Sequence, residues 1–268
     1  MKGCHFMTKK YKIDHNKRIG NVIFVVEGGR PDTGGTELRL LKSIFSDILH
    51  YEIQELRRGT DEFKGYRNNP FCKVFALNVP KNQLTELTDS DLDILFARLK
   101  EEFKLKPEDC PIYFLYDRDY LSYKPNELRG KFVKKYTDPY ANDDGSQGQL
   151  LLSYPAVESF LLSCIKENIF QSKYFLGKDL KPIVQQENFS ENDVKTDTHL
   201  IHAATEMDKC LSNFSIQQYD LDNLGPTLLE IYDKQQTLVS TERSFSLLSL
   251  ISMVLLELGI IVEDDTEN

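Results

Sequence analysis

The chain predicts an α/β fold, a mostly parallel sheet flanked by helices and followed by a mainly helical C-terminal region. Three observations carry that expectation. Asn21–Val26 (NVIFVV) and Ile112–Tyr116 (IYFLY) are continuous apolar runs rich in β-branched and aromatic residues, as strands buried on both faces require. Helical periodicity fills much of the chain between them. From about Asn168 onward the pattern becomes almost wholly helical.

Composition bounds the class. Of 268 residues, 40% are hydrophobic and 28% charged, which is the balance of a globular protein rather than a disordered one. The net charge of −9 disfavours non-specific binding to polyanions, although clustered cations or a bound metal would still offer local positive charge. Cys4, Cys72, Cys110, Cys164 and Cys210 are far apart with no Cys-x-x-Cys spacing, so reduced thiols of a cytoplasmic protein are expected. The N-terminus has no apolar core of signal-peptide length. Phe245–Val262 is almost continuously apolar, but Glu257 interrupts it and no Lys or Arg follows, so a buried helix is expected rather than a membrane span.

In chain order, residues 1–20 form a basic arm carrying Lys9, Lys10, Lys12, Lys17 and Arg18, expected to be solvated or to touch phosphates. After the first strand, GGRPDTGG is a loop, and Thr36 opens a helix with Leu38, Leu41, Ile44, Phe45 and Ile48 on one face. The glycines fit neither a phosphate loop nor a dinucleotide fingerprint. Tyr51–Leu56 is a short strand, followed by a basic patch of Arg57, Arg58, Lys64 and Arg67 interleaved with Phe63 and Tyr66. Val74–Val79 is a further strand. Ser90–Lys104 is an amphipathic helix that Pro107 ends.

Ile112–Tyr116 runs into Asp117-Arg118-Asp119. Alternation along an extended chain places both Asp side chains on one side, roughly 6–7 Å apart, with Arg118 opposite. Residues 121–149 are loop-like and contain Lys131, Lys134 and Lys135. Tyr154–Leu162 begins a helix with Pro155 near its first turn, and Glu158 lies in its apolar stretch, where burial is costly unless a cation pairs with it. A soft boundary falls near residue 175, then helices over 199–214, 227–236 and 241–262 and a disordered EDDTEN tail. His199 and His202 have a spacing that suits metal ligation, but with no third ligand a structural role is expected.

A strand ending in Glu27-Gly28, a Thr36-Glu37 helix start and a strand ending in Asp117-x-Asp119 resemble the Toprim domain of topoisomerases, primases and OLD-type nucleases. The stretch from Tyr154 to Leu162 is similar to the Pro-x-x-Glu helix of small Toprim proteins of bacterial defence systems, including RloB-like proteins and the Toprim component of PARIS. The resemblance covers about residues 20–165 and implies a Toprim-like catalytic domain over 21–175, with 176–268 for docking or dimerisation. It implies that Glu27 serves in acid/base catalysis or at the metal, that Asp117 and Asp119 bind metal, that Glu158 is a further ligand, and that Glu37 is the second catalytic Glu across a longer loop. Mg²⁺ or Mn²⁺ is the implied cofactor, in keeping with oxygen-only ligands.

The expected activity is a metal-dependent endonuclease cutting RNA such as tRNA, or DNA. Arg57, Arg58, Lys131, Lys134 and Lys135 would hold phosphates. The resemblance further implies an antiviral effector acting beside an ABC-type ATPase in trans, since the chain has no phosphate loop of its own, and a homodimer is compatible with it. The competing expectation is a non-catalytic nucleic-acid-binding or assembly protein with a structural cation.

Overall fold

The computed structural model describes residues 9–27, 35–56, 58, 60–67, 69–78, 89–106, 109–118, 124–140 and 148–264. The strands are β1 (Tyr11–Ile13), β2 (Asn21–Val26), β3 (Glu52–Glu55), β4 (Phe63–Arg67), β5 (Asn69–Asn78), β6 (Ile112–Asp117), β7 (Thr137–Asp138), β8 (Gly148–Tyr154), β9 (Lys173–Tyr174), β10 (Phe245–Ser246), β11 (Leu248–Ser249) and β12 (Ile261–Glu263). The helices are α1 (Thr36–Ser43), α2 (Asp89–Phe103), α3 (Pro125–Leu128), α4 (Glu158–Ser163), α5 (Lys181–Gln186), α6 (Asp197–Asn213), α7 (Gly225–Glu242) and α8 (Ile251–Glu257). Wider turns of π type extend α1 through Ile48 and α3 through Val133.

The main sheet has the order β11-β8-β6-β2-β5-β4-β3, with β7 beside β8. The central strands β8, β6, β2 and β5 are mutually parallel, and the antiparallel partners lie at the two margins. The expected α/β architecture with a mostly parallel sheet is therefore the observed one. β2 and β6 are buried nearly throughout, which is why their sequences are unbroken apolar runs instead of alternating ones. In register, Val26 stands opposite Leu115, and Asp117 opposite Ser153. The carboxyl ends of the three strands thus lie together, and Glu27, Asp117 and Glu158 follow from them.

Several expectations are corrected. The basic arm, from Lys9 onward, is not free: β1 pairs antiparallel with β12, and Lys12 bonds Asp264 at 2.9 Å. The same ladder orders the first residues of the acidic tail. Lysines at one terminus meet carboxylates at the other, a long-range pairing that no local pattern encodes.

The apolar segment 245–262 is not one helix. It forms β10, β11, the short α8 and β12, with Gly259 at φ +65° ending α8. The fully buried Gln235 amide bonds both the N–H and the C=O of Ser246, so the backbone there is satisfied without helix. Residues 124–140, expected as loop, contain α3 and β7. Pro155 precedes α4 instead of sitting in its first turn.

The boundary near 175 does not divide two cores. One apolar core includes Phe24 and Phe114 of the sheet together with Leu200, Ile231 and Met253 of the later helices. β11 extends the main sheet from the C-terminal region, and α6 packs on α4, α8 and β1. Among the described residues no helix is long and apolar enough to cross a membrane.

Candidate metal centre

Three parallel strands and one helix start deliver the acidic residues. Glu27 directly follows β2, Asp117 ends β6, Glu158 opens α4 after β8, and Glu37 lies in the first turn of α1. A side chain at Gly35 would press on them: its Cβ would stand 3.2 Å from Glu37 Oε2 and 3.5 Å from the Glu27 carbonyl. Glycine at that position lets the start of α1 close against the end of β2.

Asp117 opens on a cavity of about 240 Å³ whose walls include Glu158, Lys178 and Lys181. Its Oδ1 accepts a hydrogen bond from Val157 N–H at 2.7 Å. That bond favours the carboxylate, yet burial, and after it the charges of Glu37, Glu27 and Glu158, hold the Asp117 proton affinity well above the usual carboxylate range. Glu37 is buried, and this with the Glu158 charge pushes it up to about 7 against the pull of its own backbone N–H and of Lys181 and Arg39. Glu158 is only 6% exposed and is likewise raised by burial. Lys181 Nζ lies 3.9 Å from its Oε1, while its Oε2 is buried and accepts no hydrogen bond.

These observations fit a hard divalent cation. The donors are carboxylate oxygens, they repel one another, and one buried oxygen has a lone-pair site to fill. Asp117, Glu158, Glu37 and Glu27 would hold it. Among the described residues no three His, Cys, Asp or Glu side chains are already drawn into a closed ligand set. Asp119, the other half of the expected pair, lies outside the described residues.

No family model, curated protein or solved structure matches the chain. The functional reading therefore rests on the residues themselves.

Arg118 takes the side of β6 away from the cavity, as alternation requires. It is fully buried, with its guanidinium 5.7 Å from the Tyr232 ring and 5.6 Å from the Phe245 ring. The expected phosphate-holding residues divide. Arg58 is exposed in the turn between β3 and β4, on the carboxylate side of the sheet, since Phe63 pairs with Ala76 near the carboxyl end of β5. Arg57 lies outside the described residues. Lys134 and Lys135 lead into β7, which pairs with the amino end of β8, at the opposite end of the sheet from Asp117. Lys131 is tied to Glu127 at 2.7 Å on the same segment.

Lys178 and Lys181 were not anticipated. They come from a polar stretch without periodicity, and only the packing of α5 on α4 brings them to the cavity. His202 Nδ1 is bonded to the Ser163 carbonyl at 2.6 Å and His199 Nδ1 accepts the Lys195 N–H, so both histidines have structural partners.

Proposed function

We propose that the chain is a metal-dependent nuclease that hydrolyses phosphodiester bonds, of the Toprim kind its motifs resemble. The observation that carries this reading is the electrostatic convergence of Glu37, Glu27 and Glu158 on Asp117 beside a cavity that Lys178 and Lys181 also line. Carboxylates alone would repel a phosphodiester. Carboxylates holding a cation, with lysines alongside, would accept one.

A bound Mg²⁺ or Mn²⁺ supplies Lewis acidity and charge neutralisation at the phosphodiester. Glu37, raised to about 7, has the proton affinity of a general base at neutral pH and takes a proton from the attacking water. Water oxygen bonds phosphorus, the bond to the departing oxygen breaks, and that oxygen takes up a proton. Lys178 and Lys181 offset the phosphate charge, and Lys181 also limits repulsion at Glu158. Val157 N–H fixes the Asp117 carboxylate.

The test is expression of the wild type and Glu27→Ala in cells, followed by inspection of total DNA and total RNA. The reading predicts fragmentation of one nucleic acid by the wild type alone. Intact DNA and RNA, or equal fragmentation by both proteins, would sink it. The effector role beside an ABC-type ATPase in trans is a separate part of the reading, tested by whether such an ATPase co-purifies and alters the cleavage.

A further inference from the structure

The basic N-terminal arm has a role the carboxylate site does not absorb. Held by the β1–β12 ladder, it folds back over the amino ends of β2 and β5, at the opposite end of the sheet from Asp117. There Lys17 and Arg18 join Arg67 of β4 around a cavity of about 250 Å³. No carboxylate lines it, although the chain carries a net charge of −9. We propose that this cavity binds a terminal phosphate group, carried by a mononucleotide or by the end of a nucleic-acid strand.

The shape argues for an end group. Tyr51 and Cys72, each 6% exposed, close the floor, while Asn16, Lys17 and Arg18 form an exposed rim. A running backbone needs an open groove, whereas a floored cavity admits a chain end. A phosphate monoester is close to dianionic at neutral pH, and three permanent cations meet it here.

The cations are held in place before any ligand arrives. Arg67 Nη1 donates to the His15 carbonyl, which leaves the rest of the planar fork for the cavity. The loop that carries Lys17 and Arg18 is a tight turn: Asn16 N–H bonds Asp14 Oδ1 at 2.9 Å and Lys17 N–H bonds the Asp14 carbonyl at 3.1 Å. Asp14 N–H in turn bonds the Ile260 carbonyl at 2.8 Å, anchoring the turn to the C-terminal region. Less ordering cost remains to be met on binding. The Tyr51 phenol, pushed up to about 12 mainly by burial, stays protonated and available as a donor.

The experiment uses the full chain in EDTA at low ionic strength, so that it does not depend on the metal-dependent reading. Calorimetric titrations with inorganic phosphate, AMP, and one oligonucleotide in 5′-phosphorylated and 5′-hydroxyl forms are compared for wild type, Lys17→Gln, Arg18→Gln and Arg18→Lys. Inorganic phosphate and AMP are expected to bind, with about tenfold loss for each removed cation and recovery in Arg18→Lys. Preference for the phosphorylated oligonucleotide over AMP assigns a strand end, and the reverse assigns a free nucleotide. Both exposed positions tolerate glutamine, and circular dichroism checks the fold. Absence of phosphate and AMP binding, equal binding of the two oligonucleotides, or undiminished binding by Lys17→Gln and Arg18→Gln would overturn the proposal.

Discussion

Asp117 Oδ1 accepts the Val157 N–H at 2.7 Å, joining the end of β6 to the residue before α4. One bond therefore orients Asp117 and places Glu158, one residue further on. Two carboxylates from segments forty residues apart are positioned by a single contact. The fold accepts their mutual repulsion, which is the behaviour of a site arranged for a cation rather than for stability.

Asp117→Asn should therefore stabilise the metal-free protein while abolishing function. Asparagine keeps an acceptor for Val157 N–H but removes a charge that Glu37, Glu27 and Glu158 oppose. Thermal denaturation in EDTA at pH 8 should show a gain of about 1 kcal/mol, and nuclease activity should fall at least about 100-fold. A variant less stable than wild type in EDTA would contradict the repulsion argument.

Divalent cation and protons should compete at this cluster. Glu37 ordinarily titrates near 4.5 and is raised to about 7 in the fold, so its protonated form is favoured at low pH. Mg²⁺ must displace that proton. The Mg²⁺-induced rise in melting temperature should be larger at pH 8 than at pH 5.5, and Glu37→Gln should flatten the difference. A shift independent of pH would argue against Glu37 lying at the cation.

Glu257 supplies a pH dependence independent of the candidate centre. Burial, with Asp138 and Asp222 adding repulsion, raises it from 4.5 to about 8 despite its hydrogen bond with Tyr113. Between those values the folded chain binds more protons than the unfolded one, so this contribution to stability is full below pH 4.5 and is lost as pH rises through 8. Glu257→Gln keeps an acceptor for the Tyr113 hydroxyl and removes the charge. It should stabilise the protein by about 2 kcal/mol at pH 9, after discounting for partial exposure, and change little at pH 4. Denaturant titrations at the two pH values measure this.

Arg118→Ala should be among the most damaging single changes outside the centre. The side chain is fully buried between Tyr232 and Phe245, and its backbone N–H bonds the Ser153 carbonyl at 2.9 Å. Truncation leaves a cavity where the sheet meets α7, at a cost of about 3 kcal/mol. Chemical denaturation gives the value, and a loss under about 1 kcal/mol would show the packing to be dispensable.

The strand ends were readable in the sequence because burial on both faces writes an unmistakable signal. NVIFVV and IYFLYD run apolar until the sheet ends and then turn acidic, which brought Glu27 and Asp117 forward at once. Glu158 stood out as a carboxylate in an apolar segment, and the structure buries it. The same signal failed over 245–262, where burial all round removes the periodicity that tells strand from helix. Pairing of β1 with β12 joins residues about 250 positions apart, so it left no local trace. Lys178 and Lys181 reach the cavity only through the packing of α5 on α4. Arg67 was read as part of a basic patch, but its place beside Lys17 and Arg18 depends on the path of the whole N-terminal segment.

The most direct test is calorimetric titration of Mn²⁺ into the purified full chain at pH 8, compared with Asp117→Asn and Glu158→Gln. The account predicts saturable binding by wild type and at least about tenfold weaker binding by each variant, about 1.4 kcal/mol or more per lost ligand. No binding by wild type, or equal affinity in all three proteins, would show that these carboxylates do not form a metal centre.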